Sequence, residues 1–462
     1  MRPMIAYLRS LKPELPRSVW LMEAGGVANS LGNGIAIPFL IIYLHEVRDF
    51  GLATGGLVVA ALFGVGLLAG PICGRAVDRI GARATLMGSL VLMAAGYGGF
   101  PFVHHPWQAF GLALIAGVGN GGFAPSHSSL LAALTSREQR NVAYALHRAT
   151  DNLGFGVGAL AGGLIATTHV PASFDVLFAL DAGTFLAFLV LLAFVPGPRL
   201  LPEATRAGGR YSQVAGDRTF VWLLVVIAVL VAAAYAQVST VLPPYAKEHA
   251  AVGEVGIGVI FFVNTVVIVV AQLPIAKALE GRRRMRALAL SSGLFALTCA
   301  AVAATGVWLD RETAVVALCA SIVVFSAAEC IHGAVQNPLV ADLAPEHLLG
   351  RYMALRTTAW QVGFLAGPAL GSFLLARAPS GLWIGAGGAC AAAAAASLVL
   401  ERRIPAEAVR TPGSAKVANE ALRVRWRTPT VRIDDPLSTG AKPSTHQAPE
   451  ASHARGGRRH TA

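Results

Sequence analysis

The residues of this 462-residue sequence most suited to chemistry are carboxylates set in long apolar runs. Glu329, in SAAECIHG, stands about 16 residues into its run with no basic residue near it in sequence. A charge at the centre of a membrane helix costs about 2.5–3.5 kcal/mol on insertion scales. Desolvation favours the neutral carboxyl, so such a group suits reversible uptake of a proton. The plainer reading is a buried neutral Glu held by Gln336 or a hydroxyl. Asp151 follows Arg148 by three residues, which reads equally as a local i, i+3 pair or as a second proton or cation site. Glu23, near the start of the first run, reads as snorkelling to the interface. Asp181 reads as a structural acid that could cap or bond to the preceding helix, and His127 and His332 as hydrogen-bonded fillers. Cys73, Cys299, Cys319, Cys330 and Cys390 all lie in apolar runs without a CxxC pair, so neither a disulfide framework nor a metal site is expected.

A second cluster is polar. Gly74 to Arg83 reads GRAVDRIGAR and falls between apolar runs at roughly 53–73 and 84–103. Gly74 would allow a close helix approach, and Gly81 suits a turn with positive φ. Asp78 is an anion suited to the N-terminus of another helix. Arg75, Arg79 and Arg83 mark one side of the membrane and can pair with acids or lipid phosphates.

These residues must be positioned by membrane helices. The chain is 55% hydrophobic and 13% charged, against roughly 25% charged in a soluble domain. Its runs are too long for barrel strands. The spacing predicts twelve spans, at 18–44, 53–74, 82–104, 107–134, 142–168, 173–195, 219–246, 254–279, 286–307, 313–341, 351–376 and 380–400. Lys and Arg number 21 on the side holding the N-terminus and the even-to-odd loops, four on the other, and twelve in the tail. That asymmetry predicts both termini in the cytoplasm. The net charge of +12 is accounted for by this placement rather than by nucleic acid. The N-terminus lacks a cleavage-site pattern, so the first span is expected to be retained.

A repeat divides the chain. AYALHRATDNLGFGVGALAGG at 143–163 aligns without gaps on YMALRTTAWQVGFLAGPALGS at 352–372, carrying Gly154, Gly158 and Gly162 onto Gly363, Gly367 and Gly371. The first helix of each half carries proline in its outer part, Pro38 in one and Pro243 and Pro244 in the other. The expected organisation is an N-terminal six-helix half over 1–195, a cytoplasmic linker over 196–218, a C-terminal six-helix half over 219–400 and a disordered basic cytoplasmic tail over 401–462. The fold class is an all-α membrane protein of two pseudo-symmetric six-helix halves.

The spacing G-x-x-x-D-R-x-G-x-R resembles the loop motif between helices 2 and 3 of the major facilitator superfamily. The run G-x-x-x-G-A-x-x-G-G, containing Gly154, Gly158, Gly162 and Gly163, resembles the antiporter motif of its drug:proton exchangers. Ala159 stands where that motif usually has proline, while the copy with Gly367, Pro368 and Gly371 keeps the proline. The corresponding run in helix 4, LALIAGVGNGG, lacks the arginine of many drug exporters. The resemblance covers about 18–400 and implies two halves rocking about a central site. It implies that Asp78, with Gly74, Arg79, Gly81 and Arg83, forms a cytoplasmic latch against Arg137 or Arg140 and the helix 11 start near Gly350. It also implies proton coupling through a carboxylate such as Glu329, with Asp151 in reserve.

Asn29, Asn33, Asn120, Tyr235, Gln237, Asn264, Trp360 and Gln361 are polar or aromatic residues on the expected cavity helices and could line a path for amphipathic or cationic solutes. Interhelical hydrogen bonding is the plainer role for some of them. The expected function is export of small organic, drug-like or secondary-metabolite compounds in exchange for protons, as in multidrug resistance. The alternative is a proton-coupled importer of a small metabolite. An enzyme is not expected, since GxxxxGK[ST], HExxH and GxSxG are absent from the sequence. The expected partners are a small-molecule substrate, protons and the lipid bilayer of the cell membrane, with no cofactor, no nucleic acid and a monomeric state.

Overall fold

The computed structural model describes residues 15–197, 211–308, 311–345, 348–405 and 409–410. Most of the expected linker and tail lies outside them. Twelve long helical segments run through the described residues. They are α1 (Arg17–Val47), α2 (Leu52–Ile80), α3 (Ala82–Phe102), α4 (Pro106–Leu134), α5 (Arg137–Ile165), α6 (Ala172–Ala193), α7 (Arg218–His249), α8 (Glu254–Ala278), α9 (Arg284–Trp308), α10 (Arg311–Leu343), α11 (Leu349–Leu375) and α12 (Pro379–Leu400). Ten of them are apolar enough over a sufficient length to cross a membrane. The other two, α4 and α5, carry the polar stretches NGGFAPSHSS and REQRNVAYALHRATDN.

Packing follows the repeat. α1 packs on α5 and α6, and α7 packs on α11 and α12; α3 with α4 and α9 with α10 complete each half. Two symmetry-related contacts, α2 with α11 and α5 with α8, join the halves. Small residues set these approaches, because apolar lipid supplies no hydrophobic drive for one helix to seek another. A Cβ on Gly154 would meet the Val27 carbonyl at 3.0 Å, and one on Gly162 the Ile35 carbonyl at 2.7 Å. Their counterparts behave alike: Gly363 faces the Ala228 carbonyl at 2.9 Å and Gly367 that of Ala232 at 3.0 Å. Gly163 faces the other way, toward Gly258 of α8.

The first helix of each half is irregular. Pro38 lies in a 3-10 turn in α1, followed by a π turn over Tyr43–Val47, and two π turns over Val231–Tyr235 and Gln237–Val241 precede Pro243 in α7. Proline removes a backbone donor, and the ladder rearranges around the loss.

Two expectations need correction. The GRAVDRIGAR stretch is not a loop: α2 continues to Ile80, Gly81 (φ +92°) makes the break, and α3 begins at Ala82. Nothing from Arg75 to Ile80 breaks a helix, so the last turns form until a glycine permits the left-handed φ. The expected disordered tail also starts too early. Glu401–Arg403 form a 3-10 turn, Glu401 pairs with Arg283 and lies 3.5 Å from Arg286, and the Arg284 amide donates to the Val409 carbonyl at 2.9 Å.

Candidate functional site

Glu329 stands eighteen residues after Arg311 in the 33-residue α10. Asn264 of α8 splits its amide between Ser326 Oγ at 2.9 Å and Glu329 Oε2 at 3.3 Å. One turn further along α10, a Cβ on Gly333 would lie 3.5 Å from the Arg148 guanidinium of α5. Arg148 therefore crosses from one half to the other beside Glu329. The sequence placed Arg148 near Asp151 instead. In the structure Asp151 accepts from the Ser30 hydroxyl of α1, and no ion pair between Arg148 and Asp151 occurs among the described residues.

Beyond Glu329, α10 and α11 carry a polar-aromatic patch. Tyr235 and His332 share a hydrogen bond of 2.9 Å between the phenol oxygen and Nδ1. Trp360 donates to Gln336 Oε1 at 3.2 Å and its ring lies 4.8 Å from that of Tyr235. Arg356 donates to Asn337. The rings of Phe63 and Phe364 stack at 4.9 Å across the α2–α11 contact. Arg356 and Asn337 escaped sequence analysis because they meet only when α10 and α11 pack.

The remaining polar candidates separate by environment. Gln237 donates to the carbonyls of Ala232 and Gly367, at 2.9 and 3.0 Å, and so braces α7 against α11 rather than facing a path. Asn120 donates to the Tyr97 hydroxyl at 3.2 Å, joining α4 to α3. Asn29 and Asn33 each hold a buried carbonyl oxygen without a hydrogen-bond partner, and Gln361 is half-buried on α11. Asp181 is fully buried against Gly32 of α1, its oxygens without a hydrogen bond; the expected bond to helix 5 is not made. Glu23 does not snorkel: it is 2% exposed, accepts from Thr150 at 3.2 Å and lies 3.4 Å from His147 Nδ1. His127 is no hydrogen-bonded filler at Nε2, which is buried and unpartnered.

The two ends of the bundle differ. At one end Lys247 of α7 lies 3.0 Å from Glu46 of α1 and 2.5 Å from Glu254 of α8, and also donates to the Thr168 hydroxyl at 2.8 Å. His45 and Glu248 approach to 3.5 Å beside it. At the other end Asp78 is exposed with no ion pair among the described residues. Arg140, expected to meet it, donates to the Ala132 carbonyl at 3.3 Å, and the side chain of Arg137 lies outside the described residues. Arg83 donates to the carbonyls of Leu192 and Ala193, both at 3.0 Å, at the end of α6. Arg79 is exposed, and a Cβ on Gly74 or Gly350 would meet nothing within 4 Å. Among the described residues, Asp78 makes neither the expected contact with Arg140 nor an ion pair near Gly350.

A two-half helical bundle with ionisable groups within its spans, and with an ion pair joining the halves at one end, has the build of a membrane transport protein. The Major Facilitator Superfamily model matches residues 24–309 and 251–440, and the chain belongs to that family. It is 25% identical over 379 residues to the uncharacterized MFS-type transporter YhjO of Bacillus subtilis, covering 80% of this chain and 90% of that relative. It is 25% identical over 288 residues to the multidrug resistance protein MdtH of Aeromonas hydrophila, with coverages of 60% and 70%. A Na(+), Li(+), K(+)/H(+) antiporter of Planococcus maritimus is 23% identical over 370 residues, with coverages of 72% and 84%. Among solved structures, a POT family transporter in complex with a thioalcohol-conjugated peptide superposes with TM-score 0.71 at 13% identity, covering 84% of this chain and 97% of that one. A mutant of the nucleoside transporter NupG gives 0.66 at 13% identity, with coverages of 83% and 100%. These superpositions establish the fold.

Proposed function

We propose that the protein exports small organic solutes across the cell membrane in exchange for protons, acting as a monomer with both termini in the cytoplasm. The observation that carries this reading is the placement of Glu329 between Asn264 of its own half and Arg148 of the other. Proton gain at Glu329 cancels its attraction for Arg148 and lowers the cost of enclosing the carboxyl. Protonation thereby changes the relative free energies of the two arrangements of the halves, as coupling requires. Asp151, facing Ser30, is the second candidate carboxylate.

On the orientation expected from Lys and Arg, the Lys247 cluster is the outer end and Asp78 the inner. The conformation then has its outer end tied, while Asp78 at the inner end has no ion pair among the described residues. Asp78, Gly81 and Arg83 would re-form the latch in the opposite arrangement. The name of the cation/proton antiporter relative supports exchange for protons, and that of the multidrug resistance relative supports drug-like substrates. Tyr235, Trp360, Asn264 and Gln361, with Asn29 and Asn33 opposite, are the proposed substrate contacts; Asn120 and Gln237 are assigned to packing.

The test is a panel of organic cations and antibiotics in a pump-deficient host, followed by uptake into everted vesicles with and without a protonophore. Protonophore-sensitive accumulation in everted vesicles supports export. Accumulation only in right-side-out vesicles replaces it with import of a small metabolite. Cysteine at Thr54 should react with impermeant reagents from outside and cysteine at Ala204 should not; the reverse would invert the orientation.

A further inference from the structure

Three residues from separate helices meet in the N-terminal half: Glu23 of α1, His127 of α4 and His147 of α5. One ligand atom from each lies within 4.8 Å of those of the other two. Glu23 and His127 are each 2% exposed, and Glu23 Oε1 and His127 Nε2 are buried without a hydrogen-bond partner. His147 Nδ1 lies 3.4 Å from Glu23 Oε2 but makes no hydrogen bond, and its side chain is 25% exposed. The two imidazoles stack with ring centres 4.2 Å apart. Gly26 leaves their common side open: a Cβ there would lie 3.8 Å from His147 Nδ1 and 3.9 Å from His127 Nε2.

Orphaned polar atoms in a buried site are costly. Packing alone would be served by apolar side chains, or by a donor for each atom. Here no Lys or Arg forms an ion pair with Glu23 among the described residues. Two imidazole nitrogens and one carboxylate instead converge on one space. That donor set suits a borderline divalent ion, which prefers nitrogen and oxygen ligands at about 2.0–2.2 Å and takes a fourth ligand from water. Asp151, one turn along α5 from His147, adds negative charge nearby. The exposed edge of His147 provides the way in.

We propose that Glu23, His127 and His147 form a binding site for a first-row divalent transition-metal ion of the zinc type, clamping α1 to α4 and α5. The ion would satisfy Glu23 Oε1 and His127 Nε2 together. Small shifts of the three side chains would bring the ligand atoms to bonding distance. The site is separate from Glu329, so metal binding and proton coupling are distinguishable by experiment.

Untagged full-length protein in detergent should be titrated with zinc alone against a chromophoric chelator, and with cobalt(II) while its visible spectrum is followed. The expected result is one tight equivalent beyond any weak binding by the remaining histidines, with the intense visible bands of a low-coordinate cobalt site. His127→Gln, His147→Gln and Glu23→Gln should each weaken that equivalent by about 100-fold or more, and zinc should raise the Tm of the wild type but not of the variants. Tight zinc binding unchanged in the histidine variants would overturn the proposal. So would a wild type that takes up only weak, six-coordinate cobalt, a result that holds even if every variant fails to fold.

Discussion

Lys247 Nζ lies 3.0 Å from Glu46 Oε2, joining the first helix of one half to the first helix of the other. Its second acid, Glu254, accepts the Thr168 amide at 3.1 Å as well, so the α5–α6 connection belongs to the same cluster. The side chains of Lys247, Glu46 and Glu254 are 15%, 25% and 14% exposed. That is dry enough for the pairs to exceed the ~0–1 kcal/mol of surface ion pairs and wet enough to fall short of a fully buried pair.

Lys247→Gln should therefore release this end of the bundle. It leaves Glu46 and Glu254 facing each other without a cation, so the arrangement closed here loses about 1–2 kcal/mol, roughly a tenfold shift in population. Spin labels on Val47 and Val252 would report it as a longer mean distance. An unchanged distance distribution would mean that apolar packing alone closes this end.

Asp78 offers the opposite case. It is exposed and without an ion pair among the described residues, so Asp78→Asn should leave thermal stability within about 0.5 kcal/mol of wild type. Any effect belongs to the arrangement in which the motif closes, and the expected phenotype is slowed transport with normal insertion. A large loss of stability would show that Asp78 is already engaged in this conformation.

Two glycines of the recognised motifs should respond oppositely to added bulk. A Cβ on Gly158 would collide with the backbone of Leu31, whereas one on Gly74 meets nothing within 4 Å. Gly158→Ala should cost about 1–3 kcal/mol through forced separation of α5 from α1. Gly74→Ala, within α2, should be neutral or gain up to about 1 kcal/mol from helix propensity. Thermal unfolding in one detergent would rank the pair, and equal effects would refute the packing role assigned to the stripe.

The different legibility of these features has a physical origin. Gly154, Gly158 and Gly162 recur with the helical period, so a single strand of text exposes the packing face, and its repeat at Gly363, Gly367 and Gly371 exposes the pseudo-symmetry. Glu329 stood out because hydrocarbon makes any carboxylate conspicuous. Partnerships were not legible: Arg148 reads as the neighbour of Asp151, yet its reach is toward α10. Glu23, His127 and His147 are scattered along the chain and converge only through three-helix packing. Gln237 looked like a path-lining amide because sequence cannot tell a cavity face from the α7–α11 seam. The end of α2 reads as a loop because polarity marks the membrane boundary, whereas helix termination waits for Gly81.

Glu329→Gln tests the coupling proposal most directly. Gln keeps a carbonyl oxygen for the Asn264 amide, which donates to Glu329 Oε2 at 3.3 Å, so the α8–α10 contact should survive and the variant should fold. What it loses is the ability to exchange a proton and to attract Arg148. The variant therefore resembles the protonated state permanently. Exchange of substrate down its own gradient should persist, because rocking of the halves then needs no proton release. Uphill efflux driven by an imposed pH gradient should fall to the level of empty proteoliposomes, while Glu329→Asp should retain part of it. Matched insertion levels and a substrate-binding measurement separate loss of coupling from loss of folding. If Glu329→Gln still concentrates substrate to the wild-type level, Glu329 is not the coupling group, and Asp151→Asn becomes the decisive variant.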